Sequence, residues 1–304
     1  MPPLISIVIA TRNRRDDLRR ALASCMAQRD IPFEILVYDD ASGDGTSEMV
    51  ASEFPAVRLF RSETNVDCVR HRNAGFQAGQ GEYVVSLDDD AEFSDPLTLA
   101  RVIELFRKFP EAAILALPFE EPRRATPQTA MRPVAVGSRL RVHVNCAAAF
   151  RRAMVLDLGG YPDFLCRQGE ERDLSIRAID AGHTVVYGDT PPIIHHTSPS
   201  RSYERMDYLG YRNTILFSWM RIPFPYWPAR MAINTIQLVR HKFSLARLPA
   251  RLYMIGAGYV ACVRFFHARC PVSIDAYRRF RSLPAHGPLA SIEIASPGAG
   301  DSPT

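Results

Sequence analysis

The chain has 304 residues, 47% hydrophobic and 23% charged, a balance that excludes a disordered protein and provides for one sizeable core with an appended region. Its formal charge of +4 is unevenly placed: residues 205 to 281 hold 13 Lys and Arg against 2 acids, a net +11, which leaves −7 for the rest. Six well-separated cysteines with no C-x-x-C pair exclude a zinc ribbon and a dense disulfide framework, and fit a reducing cytosol.

The N-terminal "MPPLISIVIATRNRR" has an apolar run too short for a signal peptide and no basic segment ahead of it, so no export signal is expected. "LISIVIA" (4 to 10) reads as a β-branched strand. "RRDDLRRALASCMAQ" (14 to 28) spaces Leu18, Leu22 and Cys25 at helical intervals, and "FEILVYD" (33 to 39) is a strand again. A helix over about 44 to 53, a strand over 57 to 62, a helix over about 68 to 79, a strand over 83 to 87 and a helix over about 95 to 109 continue the pattern. Strands alternating with helices imply an α/β fold whose mixed, mostly parallel sheet is flanked by helices. Ligands of such sheets sit beyond the carboxyl ends of the strands.

Polar residues collect at those ends. The first strand runs into Thr11, Arg12 and Asn13, the second into Asp39 and Asp40, and the fourth into Asp88, Asp89 and Asp90. Three successive acids repel unless a cation lies among them. Mg2+ or Mn2+ takes oxygen ligands and commonly bridges carboxylates to substrate phosphates, so a metal holding a diphosphate is the expected partner. Because strand residues alternate, Asp89 is expected to point away as a surface acid. Neither a P-loop nor a G-x-G-x-x-G follows a strand, which removes the P-loop ATPase and nicotinamide dehydrogenase readings.

Together, "ISIVIATRNR", "EILVYDDASGDGT", "VRHRNAGFQAGQGEYVVSLDDDAEF", "NCAAAFRRAMVLDLGGYPD" and "GEERDLSIRAIDAGHTVVY" resemble, in this order and spacing, a family 2 glycosyltransferase with the GT-A fold, over about residues 4 to 200. The resemblance implies inverting, metal-dependent transfer of a sugar from a nucleotide diphosphate to an acceptor hydroxyl. Thr11, Asn13, Asp40, Arg72, Asn73 and Asp88 would serve the donor: Asp40 on the base, Arg72 near the diphosphate with Arg70 and His71 as rivals, Asn73 fixing its loop. Asp90 would be the metal ligand, with Asp88 and His196 beside it. Of the pair His195 and His196, His196 is preferred. The base falls in "GEERDLSIRAIDAG", where the family pattern ends in Asp; here Glu171 takes that position, with Glu170 second choice. Acids at a helix N-terminus also occur for dipole reasons alone.

Three regions are expected: a catalytic domain over 1–203, a basic and aromatic helical region over 204–283, and a flexible tail over 284–304 rich in Pro, Gly and Ser. Residues 119 to 133 fall where an acceptor lid would lie. "YLGYRN" resembles the segment following the catalytic domain in transferases that build polysaccharides on lipid carriers, so Arg212 either reaches the site or braces the two regions. Both tryptophans, Trp219 and Trp227, lie in the basic region, which reads equally as an interfacial helix on an anionic membrane or an ordinary subdomain packed on the core. "LYMIGAGYVACV", between Arg251 and Arg264, is too short to span a bilayer. The expected partners are a UDP- or dTDP-sugar and a saccharide or lipid-linked acceptor in cell-envelope polysaccharide synthesis, in the cytoplasm or on the inner face of its membrane. A non-catalytic adaptor that kept the fold is the alternative. A sugar nucleotidyltransferase lacks its Gly-rich loop after strand one, and no nucleic-acid-reading motif is present.

Overall fold

The computed structural model of the chain describes residues 2–122, 134–196, 203–241 and 244–285. The first elements are β1 (Ile5–Thr11), α1 (Arg15–Met26), β2 (Phe33–Asp39), α2 (Thr46–Glu53), β3 (Arg58–Arg61), α3 (Cys68–Ala78) and β4 (Tyr83–Asp88). The periodicity located each within a few residues. After β5 (Ala91–Phe93), α4 (Thr98–Lys108) starts three residues later than its pattern suggests. The reason is local: Pro96 keeps Asp95 out of helical conformation, and the Asp95 carboxylate instead accepts the Leu97 N–H at 2.8 Å.

β6 (Ala112–Ala116), β7 (Phe119–Glu120), β8 (Arg139–Leu140), β9 (Ala147–Arg151), α5 (Arg152–Asp157), α6 (Glu170–Asp180), β10 (Thr184–Tyr187) and β11 (Ile193–His195) complete the α/β part. Eight strands form one sheet in the order β3-β2-β1-β4-β9-β6-β10-β8, and β5-β11-β7 form a second. In the large sheet β9 runs antiparallel to both β4 and β6, and β8 antiparallel to β10; the remaining pairs are parallel.

Register positions the chemistry. Thr11 pairs with Asp39 and Ala10 with Asp88, so β1, β2 and β4 end level with one another. Leu87 pairs with Ala147, which brings the residues just before β9 to the same edge from the opposite direction. In the small sheet His195 pairs with Ala91, next in sequence to Asp90.

Alternation along β1 sends Ile5, Ile7 and Ile9 into a core beneath α1 and α4, and Val8 into a second core with Phe76, Phe150 and Leu174. Both faces are therefore covered, which is why these strands are almost continuously apolar. Leu18 and Phe106 are fully buried there, and truncating either to Ala would cost about 2–5 kcal/mol.

Four helices follow: α7 (Tyr203–Arg221), α8 (Tyr226–Arg240), α9 (Leu248–Arg264) and α10 (Ile274–Ser282). The first three share a core that includes Ile215 and Met220 of α7, Met231 and Leu238 of α8, and Ile255 of α9. Tyr277 and Phe280 of α10 pack on Ile176 and Ile179 of α6, and Arg221 donates to both oxygens of Asp173, at 2.6 and 3.3 Å. The helices are thus packed on the α/β part, as one of the two expectations for this region had it. Residues 286–304 and 123–133, covering nearly all of the expected tail and most of the expected lid, lie outside the described residues.

Candidate active site

β4 ends at Asp88, and Asp89 and Asp90 lie in the turn that leads to β5. Strand alternation therefore stops one residue too early to expel Asp89, correcting the expectation of a surface acid. Asp89 is buried; it accepts hydrogen bonds from the Thr11 hydroxyl at 2.9 Å and from Arg14 at 2.8 Å. Burial, with the charges of Asp90 and Asp88, pushes its pKa up to about 6 against the pull of Arg14.

The flanking acids divide their oxygens. Asp88 Oδ1 accepts from Arg72 at 2.7 Å and Asp90 Oδ2 from Arg14 at 2.9 Å. Their other oxygens, Asp88 Oδ2 and Asp90 Oδ1, face His195 Nε2 at 3.9 and 3.2 Å. His195 Nδ1 lies 3.0 Å from a carboxylate oxygen of Glu121. That carboxylate on one side of the ring leaves Nε2 aimed at the acids on the other, an arrangement suited to a carboxylate–histidine–metal group. Burial alone would lower the His195 pKa, but hydrogen bonds to Asp90, Cys146 and Glu121 push it up to about 12. Burial would likewise raise Asp88, yet Arg72 and His195 hold it below the ordinary range.

One ligand atom each from Asp88, Asp90 and His195 lies within 4.8 Å of the others. Two carboxylate oxygens and an imidazole nitrogen suit a divalent cation such as Mn2+ or Mg2+. His196 is a correction. It lies just past the end of β11, and its side chain turns away from the acids: its Nε2 meets Glu92 at 2.7 Å, while its N–H donates to the Asp90 carbonyl at 2.8 Å.

Asn13 has left-handed backbone (φ +52°), which turns the chain after β1; its side-chain oxygen accepts the Gly43 N–H at 2.8 Å and its own N–H donates to Ser42 Oγ at 2.9 Å. It therefore clamps the loop after β2. On that loop Asp40 accepts the Val66 N–H at 2.7 Å and lies 3.1 Å from His71 Nε2. Arg72, buried and held charged, reaches from Asp88 toward Glu170, 3.7 Å away. Asn73 faces elsewhere: it donates to the Tyr161 carbonyl at 2.7 Å and accepts the Tyr161 N–H at 2.9 Å, tying α3 to the segment before α6.

That segment ends at Gly169, whose φ of +99° turns the chain into α6 and would strain any other residue. Glu170 and Glu171 follow in the first turn. Glu170 is 3% exposed, with Oε1 at 3.4 Å from the Asn145 amide nitrogen and Oε2 without a hydrogen-bond partner among the described residues. Glu171 is half-buried; burial and then the charge of Glu170 push its pKa up to about 8. Behind them Tyr161 donates to Asn145 Oδ1 at 2.5 Å and accepts from His143 Nε2 at 3.2 Å. His143 Nδ1 is then the acceptor for the Ser175 hydroxyl at 2.9 Å, a neutral tautomer consistent with burial pushing its pKa down to about 3.

The structure thus brings together Thr11, Asp88, Asp90, Arg72, Glu170 and His195, and adds Arg14 and Asn145, which the sequence reading did not single out. Their signals were weak: Arg14 is one of three arginines in "TRNRR", and His143 and Asn145 share strand parity in "VHVNC". Arg212 donates to the Phe164 carbonyl at 3.1 Å and stacks over Phe265, and its neighbour Asn213 donates to the carbonyls of Leu165, Arg167 and Gln168. These contacts make it a brace between α7 and the loop that leads to Glu170.

Residues 6–155 match the family described as glycosyl transferase family 2. The chain is 37% identical over 103 residues to the succinoglycan biosynthesis protein ExoO of Rhizobium meliloti, a match covering 34% of this chain and 29% of that protein. It is 22% identical over 209 residues to an uncharacterized glycosyltransferase of Haemophilus influenzae, covering 64% and 68%. The chain therefore spans about a third or less of the first of these relatives. By structure it resembles S. aureus TarS in complex with UDP-GlcNAc, at a TM-score of 0.62 and 17% identity over 92% of this chain and 83% of that one. It also resembles a Pyrobaculum calidifontis mannosyltransferase in complex with GDP-Man and Mn2+, at a TM-score of 0.58 and 19% identity over 92% and 79%. At such identities these likenesses establish the GT-A fold alone.

Proposed function

The chain belongs to glycosyl transferase family 2 through its residues 6–155, and from that premise we propose that it transfers a sugar from a nucleotide-diphosphate donor, a UDP- or dTDP-sugar, to an acceptor hydroxyl with inversion at the anomeric carbon. The observation that carries this reading is the convergence of Asp88, Asp90 and His195 beside Arg72, with Glu170 and Glu171 on the far side of Arg72. The donor set of two carboxylates and one imidazole fits a divalent cation, Mn2+ or Mg2+, held by Asp88, Asp90 and His195. Such an ion, when bound, would supply charge neutralisation for the departing diphosphate.

The remaining work falls to side chains. Asp40, fixed by Val66 and His71, is aimed to accept an imide N–H of the base, Asn13 clamps the loop that carries it, and Thr11 holds Asp89 beside the donor. Arg72 places fixed positive charge where the diphosphate gains negative charge. Glu171 takes the proton of the acceptor hydroxyl as its oxygen bonds to the anomeric carbon and the bond to the diphosphate breaks, the electron pair leaving with phosphate. A pKa of about 8 makes Glu171 a stronger base than an ordinary carboxylate once ionised. Glu170, against Arg72 and Asn145, keeps that basicity high by its charge; it is the alternative base. The acceptor is a saccharide or lipid-linked glycan of envelope polysaccharide synthesis, met at the inner face of the cytoplasmic membrane, with residues 1–203 as catalytic domain and 204–283 as the region that braces it.

The test is calorimetric titration with UDP, dTDP and GDP, each with and without Mn2+, on the wild type and on Asp90→Ala. Metal-dependent binding of UDP or dTDP that the variant loses supports the reading. Absence of any nucleotide binding by folded protein favours the adaptor instead.

A further inference from the structure

Residues 208–274 contain no Asp or Glu, while nine Arg and Lys fall among them. No stretch of comparable length in the α/β part lacks acids. α9 lies within this stretch and is apolar on two faces. The inner face, with Ile255, Gly258 and Cys262, packs on α7; a Cβ at Gly258 would lie 2.8 Å from Ile215 and 3.0 Å from the Arg212 carbonyl, so only glycine allows this approach.

The outer face carries Leu252, Gly256, Tyr259, Val260 and Val263, at helical spacing, with Tyr253 beside them and Phe266 in the turn that follows. Val263 is 78% exposed, Phe266 70% and Val260 67%, values unusual for side chains of this size in one patch. α8 extends the patch: Thr235 hydrogen-bonds Tyr259 at 2.8 Å, and its neighbours Ile233 and Ile236 are also exposed. Exposed Arg247 and Arg264 stand at the two ends of α9, and exposed Arg240 at the end of α8. Among the described residues, no helix is long and apolar enough to cross a membrane.

We propose that the outer face of α9, extended by α8, is a docking surface on which this protein lies in the plane of an anionic lipid bilayer. Apolar side chains enter to acyl depth, Tyr253 and Tyr259 sit at the headgroups, and Arg240, Arg247 and Arg264 meet lipid phosphates. Charge decides against a second copy of the chain as occupant, since two such faces would bring like-charged rims together. The position of α9 suits the proposed acceptor. α9 packs on α7, and α7 through Arg212 and Asn213 holds the loop that leads to Glu170 and Glu171, so the bilayer would be linked to the catalytic acids by one layer of helix. This surface deepens the reading of a membrane-held acceptor and rests on it only for its purpose.

The full-length protein is to be sedimented with phosphatidylcholine vesicles, with and without phosphatidylglycerol, alongside Val260→Glu with Val263→Glu and, separately, Arg247→Glu with Arg264→Glu. All four positions are exposed, and circular dichroism with UDP titration on the same samples verifies that each variant folds. The expected result is partition onto the anionic vesicles only, weakened at least about tenfold by either pair. No partition, equal partition onto neutral vesicles, or partition that both pairs retain would each overturn the proposal. A stable dimer abolished by Val260→Glu with Val263→Glu, without vesicle binding, would assign the face to a second copy and overturn it too. Vesicle failure with UDP binding intact strikes this surface alone, whereas lost UDP binding in the wild type strikes the donor reading.

Discussion

At the carboxyl edge of the sheet, five acids, Asp88, Asp89, Asp90, Glu170 and Glu171, crowd together among Arg14, Arg72 and His195, whereas residues 208–274 have no acid at all and expose apolar side chains between arginines. Both regions hold unbalanced charge, but the first buries it and the second displays it. Burial makes the sheet edge sensitive: each charge there is costly without its partner, so its pKa values move and its geometry is fixed. Exposure makes the helical face tolerant, since screened charges and surface side chains change little when substituted singly.

Removing the proposed base should produce the largest effect. Glu171→Gln is expected to lower kcat by about 10²–10⁴-fold while leaving nucleotide affinity within a few-fold, measured by donor turnover and calorimetry. Its pH signature has a definite sign. Because the folded-state pKa is raised to about 8, the wild type should gain kcat/KM as pH climbs to about 8 and level off above, a limb the variant lacks. Charging a carboxyl whose folded pKa is raised opposes folding, so wild-type stability falls as pH rises from the unfolded value of about 4.3 through about 8. At pH 8 the Gln variant should therefore unfold at higher urea than its parent.

Next in size is the buried pair that joins the two regions. Arg221→Ala strands Asp173, which is also bonded to Arg177 at 2.8 Å, and is expected to cost about 3–5 kcal/mol in urea unfolding. A loss below about 1 kcal/mol would mean that this ion pair does little to join the helices to the α/β part.

His195→Gln should weaken metal-dependent nucleotide binding about 10–100-fold, and His196→Gln, which loses only its partner Glu92, less than about threefold. Equal effects would return His196 to the site. The smallest change is expected from Tyr161→Phe, which leaves Asn145 Oδ1 and His143 without the hydroxyl and should cost about 1–2 kcal/mol of stability with nucleotide affinity unchanged.

Much of the sheet edge was legible because its signals are local. Alternating strands and helices located β1 to β4, and level parallel strands must bring Thr11, Asp40 and Asp88 to one edge. What failed was orientation. Asp89 was expected outside and His196 inside, and both errors come from parity: β4 stops at Asp88, and the phase of the three-residue β11 is set by pairing with β5, which lies about a hundred residues earlier in the chain. Arg14 and Asn145 were missed because each meets the acids across long sequence separations, Arg14 from the turn after β1 and Asn145 from before an antiparallel strand that interrupts the parallel order. In the helical region, charge and aromatic content were readable from composition, but only packing separates the inner face of α9 from the outer one.

The central claim is that Asp88, Asp90 and His195 form one cation site that serves a nucleotide. The most direct measurement is a Mn2+ titration followed by electron paramagnetic resonance, with UDP present, on wild type, Asp90→Asn, His195→Gln and His196→Gln. Saturable Mn2+ binding is expected of wild type and His196→Gln, with about tenfold or greater weakening in the other two. Mn2+ bound equally by all four proteins would contradict the central claim.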